Sequence, residues 1–157
     1  MHKNFYLCNV KKTVFFNDIP NLNLKEADLS DWIYEQVSEK GAKIKRLDIN
    51  FISEDKMLNL NREHLKHDNH TDILTFSYND HLTIESEIFI CFERACENAQ
   101  KHAQTPENEV LRLISHGLLH IFGMKDNTRR LRNAMANEED KIIAKFHVKH
   151  TTSEKTL

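Results

Sequence analysis

The spacing of apolar positions changes along the chain between a period near two and one near 3.6, which predicts strands and helices in alternation. Residues 4–10 (NFYLCNV) and 12–16 (KTVFF) are rich in aromatic and β-branched side chains and predict two short strands. After a turn at 17–21 (NDIPN), Leu29, Trp32, Ile33 and Val37 recur every three or four residues and predict a helix over 24–39, ended by Gly41. In 43–53 (KIKRLDINFIS), Ile44, Leu47, Ile49 and Phe51 stand among charged or polar neighbours and predict a strand. Ser53, followed by Glu54 and Asp55, caps a second helix with Met57, Leu58 and Leu60 inward, ending near Leu65. A polar loop, 66–70, leads into a strand over 71–78 whose apolar middle predicts a central place in the sheet. A turn at 79–81 returns the chain as a strand over 83–91, and so short a connection predicts antiparallel pairing.

From Phe92 onward the period is helical. Phe92, Ala95, Cys96 and Ala99 form one stripe. Thr105 and Pro106 then supply an N-cap and a first-turn proline for a helix reaching about Phe122. This helix is apolar nearly all round, which predicts a buried central position. Thr128 caps a last helix to about Val148, with Leu131, Ala134, Met135, Ile142, Ile143 and Phe146 inward, and 150–157 reads as a frayed polar tail. Strands and helices mixed, with helices gathered toward the C-terminus, predict a single α+β domain over 1–157. It should hold one small mixed sheet of about four strands and about five helices.

Composition narrows the class without changing it. A chain of 157 residues, 39% hydrophobic and 29% charged, is that of an ordinary soluble domain. A formal charge of −2 argues against a generally basic nucleic-acid binder, so any RNA contact needs a local patch. Cys8, Cys91 and Cys96 follow no CxxC spacing, and the latter two lie in apolar surroundings that predict buried thiols. The absence of an apolar leader or a membrane-length apolar run predicts a cytosolic protein.

The chemistry concentrates in Ser115–Asp126, SHGLLHIFGMKD. On a helix, His116 and His120 project one turn apart from one face. Gly123 can end the helix at positive φ and let Asp126 fold back toward them. Two imidazoles, one carboxylate and an open fourth position form the ligand set of a catalytic zinc. Two histidines on an apolar helix are costly unless each nitrogen has a partner, which favours a metal over two unrelated core residues. The HExxH peptidase motif carries its general base directly after the first histidine, and here Gly117 stands there, so that chemistry lacks its base. His64, His67 and His70 (HxxHxxH) lie in a hydrophilic segment and read as solvated, as do His147 and His150. Arg129, Arg130 and Arg132 oppose the dipole of the helix they begin; they read as solvated charge or as a phosphate grip beside the metal.

These motifs together resemble the YbeY family of bacterial metal-dependent endoribonucleases, tied to rRNA maturation and ribosome quality control. The family pattern HGxLHLxGxDH is similar to His116–Asp126. The LNxxxR and TDVLSF-like elements resemble Leu60-Asn61 and Thr71–Phe76, and the GDIxI strand resembles Ser86–Ile90. The resemblance implies a small α+β fold and a zinc-dependent endoribonuclease acting on single-stranded RNA, including the 3′ end of 16S rRNA, in contact with the ribosome. His116, His120 and Asp126 would hold one zinc ion, with no catalytic residue beyond the metal-bound water. Arg62, Lys66, Arg129, Arg130 and Arg132 are candidate phosphate contacts. Two positions depart from the pattern: its third metal ligand is commonly histidine where this chain has Asp126, and its arginine aligns with Leu65. The second departure keeps open a non-enzymatic reading, a ribosome-associated RNA-binding or assembly factor whose metal mainly orders the loop from Gly123 to Thr128.

Overall fold

A computed structural model describes residues 11–65, 70–78 and 82–154. Strand 4–10, Cys8, Lys66, His67 and the turn at 79–81 lie outside the described residues. The element order is β1 (Val14–Asn17), α1 (Glu26–Glu39), β2 (Lys43–Ile52), α2 (Glu54–Leu65), β3 (Ile73–Ser77), β4 (Thr83–Cys91), α3 (Phe92–Lys101), α4 (Pro106–Ile121) and α5 (Arg129–Glu154). The four strands form one mixed sheet in the order β1-β2-β4-β3. The first two neighbouring pairs are parallel, and β3 runs antiparallel to β4, as the short connection predicts. This is the expected α+β domain.

Local signals placed the helices well. Thr105 Oγ1 accepts from the Asn108 amide at 3.1 Å, Ser53 Oγ from Lys56 at 3.3 Å, and Thr128 Oγ1 from Leu131 at 3.2 Å. Each bond satisfies an amide that the first helical turn leaves without a carbonyl.

Helices α1, α3, α4 and α5 share a core with one face of the sheet, where Leu47, Ile49, Ile88 and Ile90 meet Leu29, Trp32, Ala95, Ile114, Leu118 and Met135. The other face carries a smaller cluster of Met57 from α2 with Leu74 and Cys91. Trp32 fixes α1 to α5: its indole N–H donates to the Ile142 carbonyl at 2.9 Å, and its ring meets Phe146 edge-on at 5.4 Å. On β2 the inward positions Ile44 and Leu47 are three apart, which breaks strict alternation. A register shift between Ile44 and Arg46 absorbs the extra residue and returns Leu47, Ile49 and Phe51 to one face.

Three expectations are corrected. β3 is an edge strand, not a central one. Its middle is apolar because both faces are covered: Leu74 and Phe76 pack toward α2, while Ile73 joins the main core. On α5, Ala134 is exposed and Glu139 takes a buried place instead. The same helix continues to Glu154, so 150–154 are helical where a frayed tail was expected. Cys91 is fully buried and Cys96 only partly so, both as free thiols.

Candidate metal centre

Helix α4 is buried through Val110, Leu111, Leu113, Ile114, Ser115, Gly117, Leu118, Leu119 and Ile121. Within the stretch 113–121, His116 and His120 are the positions that remain partly exposed. Gly117, between them, faces the sheet: a Cβ built there would lie 2.8 Å from Cδ1 of Ile88 and 3.3 Å from Oγ1 of Thr75. The position at which a zinc peptidase carries its base is therefore, in this fold, a tight contact between helix and sheet.

The end of α4 is shaped by its sequence. Gly123 adopts φ of 92°, and its amide donates to the His120 carbonyl at 2.9 Å while Met124 donates to the Leu119 carbonyl at 3.0 Å. This paired closure needs the left-handed conformation that glycine accepts freely. It also turns the Met124 carbonyl back onto Nδ1 of His120, 3.1 Å away. The chain then reaches Asp126, whose Oδ2 lies 3.3 Å from His120 Nε2 and 3.5 Å from His116 Nε2. The two Nε2 atoms are 3.0 Å apart.

The orientation of both rings follows from their outer partners. A carbonyl can only accept, so His120 presents a protonated Nδ1 to Met124. His116 Nδ1 faces Oε1 of Glu139 at 3.1 Å and donates in the same way. When both rings are neutral, this arrangement leaves two Nε2 lone pairs and a carboxylate oxygen aimed at one point, with no donor among them. A cation there resolves the repulsion. Four-coordinate zinc, with bonds of about 2.0–2.2 Å, sets its ligand atoms roughly 3.3–3.6 Å apart, close to the separations found. Among the described residues this is the only group of three or more His, Cys, Asp or Glu side chains converging closely enough to hold a metal ion.

Charge and burial compete at His116. Burial pulls its pKa down, but the hydrogen bond and charge of Glu139, with Asp126 and Asp72 behind them, outweigh that and leave it above the ordinary histidine value.

The three groups form part of the wall of an open cavity of about 530 Å³ between α4 and β3, whose other walls include Leu65 and Thr71–Ser77. Among its described lining residues there is no lysine or arginine. Asp72 also lines it, accepting from Asn98 Nδ2 at 2.8 Å.

A profile of the family described as Endoribonuclease YbeY matches residues 16–147. The chain belongs to the YbeY family. An Endoribonuclease YbeY of Phocaeicola vulgatus is 34% identical over 122 residues, covering 78% of this chain and 88% of the relative. One from Cytophaga hutchinsonii is 34% identical over 132 residues, covering 83% and 92%. The solution structure of a Thermotoga maritima protein superposes with a TM-score of 0.66 at 22% identity, covering 90% of this chain and 93% of that one, and so shares the fold.

Against the YbeY pattern, the structure brings His116, His120 and Asp126 to one point and scatters the candidate phosphate contacts. Arg62 is exposed on α2, and Lys66 lies outside the described residues. Arg129, Arg130 and Arg132 are exposed at the start of α5, where Arg132 Nη1 donates to the Asp126 carbonyl at 3.4 Å. Leu65 is 46% exposed at the cavity wall. The HxxHxxH run does not assemble among the described residues: His64 stacks edge-on against Phe76 and His70 faces Glu54. His147 meets Asn108, and His150 meets Asp28.

Sequence reasoning missed Glu139. The signal was present: counting from Met135, positions 139, 142, 143 and 146 continue the inward stripe of α5, and one of them is an acid.

Proposed function

We propose that this chain is a zinc-dependent endoribonuclease that cleaves single-stranded RNA during rRNA maturation. The fuller reading includes 16S rRNA 3′-end processing and ribosome quality control, in association with a ribosomal subunit in the cytoplasm. The observation that carries it is the convergence of His116, His120 and Asp126 in the wall of an open groove, in a chain of the YbeY family. The donor set fits one zinc ion, and all three side chains remain partly accessible.

His116, His120 and Asp126 would hold the ion. When bound there, zinc supplies a Lewis acid for a phosphoryl oxygen and makes a coordinated water more acidic. The remaining tasks fall to the chain. Met124 and Glu139 keep the two Nε2 atoms directed into the groove. Asp126 adds a negative charge where a third histidine would add none, so the site is less positive and acidifies water less than a three-histidine site. β3 forms the wall along which an extended strand can lie. Arg129 and Arg130, exposed beside the ligand loop, offer the phosphate-binding charge that the groove's described lining lacks. In cells, replacing the chromosomal copy with His116→Ala should cause precursor 16S rRNA to accumulate, and normal processing in that strain would refute the proposal.

One feature favours a second reading: Leu65, which the resemblance sets against the family's arginine, puts an apolar side chain in the cavity wall. In that reading the protein is a ribosome-associated RNA-binding or assembly factor, and the metal orders the loop from Gly123 to Thr128. Chelation discriminates the two. If removing metal melts the fold while the fully metallated protein leaves single-stranded RNA intact, the binding factor stands.

A further inference from the structure

Glu139 is 6% exposed, a buried acid on α5. Its neighbours Glu138 and Asp140 pair outward, with Lys141 at 2.8 Å and Arg112 at 3.1 Å respectively. Glu139 alone turns in, at the place in the Met135–Phe146 stripe where an apolar residue would complete the packing. A buried carboxylate is costly unless its oxygens are engaged. Here Oε1 receives Nδ1–H of His116 at 3.1 Å, and Oε2 lies 3.7 Å from Nη1 of Arg112. Arg112 comes from α4 itself, one turn before His116.

We infer that Glu139 is a positioning residue that holds His116 ready for the metal, with Arg112 bracing it from behind. The inference rests on the proposed metal site. The physical ground is the geometry. An imidazole on a single helix can rotate about two torsions, and His120 is locked only because the helix's own C-terminal turn supplies the Met124 carbonyl. His116 is a full turn further back and has no such local acceptor. The acceptor comes instead from α5, across the α4–α5 interface. A carboxylate on the outer nitrogen fixes the tautomer, aims Nε2, and raises the basicity of the ligand atom; loss of such a partner commonly costs roughly 10–100-fold in metal affinity. The acid on the α5 stripe therefore serves the site and not the core.

The test is zinc affinity measured by chelator competition on the intact chain. Glu139→Gln keeps size and an acceptor oxygen but removes the charge, and Glu139→Ala removes both. Asp140→Asn, which contacts Arg112 but not His116, is the control. We expect zinc to bind about 10–100-fold more weakly to Glu139→Ala, less weakly to Glu139→Gln, and as in the wild type to Asp140→Asn. Circular dichroism checks that each variant is folded, and Glu139→Gln keeps the test decisive if the alanine variant is not. Wild-type affinity in folded Glu139→Gln and Glu139→Ala would overturn the inference, as would an equal loss in Asp140→Asn. A wild-type protein that binds no zinc would overturn the metal site itself, and the two failures are thereby told apart.

Discussion

Gly117 stands so close to Ile88 that a methyl group on it would come within 2.8 Å of the isoleucine Cδ1. The contact joins the helix that carries both histidines to the interior strand β4, where Ile88 is fully buried. Gly117→Ala should therefore destabilise the fold, the overpacking outweighing the better helix propensity, by about 1–2 kcal/mol. Urea denaturation measures it. In an Ile88→Val background, which removes the offending atom, the same substitution should cost less. A stabilising Gly117→Ala in the wild-type background would show that α4 can lift from the sheet without penalty.

The pH dependence of the metal-free protein follows from His116. Its pKa is raised in the fold, so the folded state binds the proton more tightly than the unfolded chain does. The associated stability is fully present below the unfolded value of about 6.5 and is lost as pH rises through the folded value. Denaturation midpoints in the presence of a chelator should fall on going from about pH 6 to pH 8, relative to His116→Ala. Added zinc should reverse the trend, because protons and metal compete for the same nitrogens, and saturation at 100 times the dissociation constant adds about 2.7 kcal/mol. A metal-free wild type that gains stability over this range, relative to His116→Ala, contradicts the assignment.

Leu65 is a position at which the proposed RNA path can be probed. It is exposed at the cavity wall, so an arginine there meets solvent and not the core. Leu65→Arg should tighten binding of single-stranded RNA. The slope of log affinity against log salt should steepen by about 0.7, the value for one added phosphate contact on a single strand. Fluorescence anisotropy over a salt series reads both. An unchanged slope would mean that the RNA backbone does not pass this part of the wall.

What could be read from sequence was what local chemistry decides. Ser53, Thr105 and Thr128 announce their helices because a cap acts within one turn, and Gly123 announces the turn that makes Asp126 reachable. The convergence of His116, His120 and Asp126 was legible for the same reason, since they lie within eleven consecutive residues. Long-range relations were not. The parallel pairing of β1 with β2 and of β2 with β4 joins segments separated by whole helices, and no residue in them encodes the partner. β3 was misplaced because apolar residues covered by helices on both faces look like those of an interior strand. Glu139 was hidden in the acidic run 138–140, where only the helical phase separates the inward acid from its outward neighbours.

The measurement that bears most directly on the central claim is cleavage of a single-stranded RNA by purified protein whose zinc content is determined in the same sample. The account predicts about one zinc per chain and endonucleolytic products in the wild type. His116→Ala and Asp126→Ala should each lose most of the zinc and the cleavage together, and a chelator should abolish activity that added zinc restores. Full zinc occupancy without cleavage, or undiminished cleavage by metal-free His116→Ala, would contradict it.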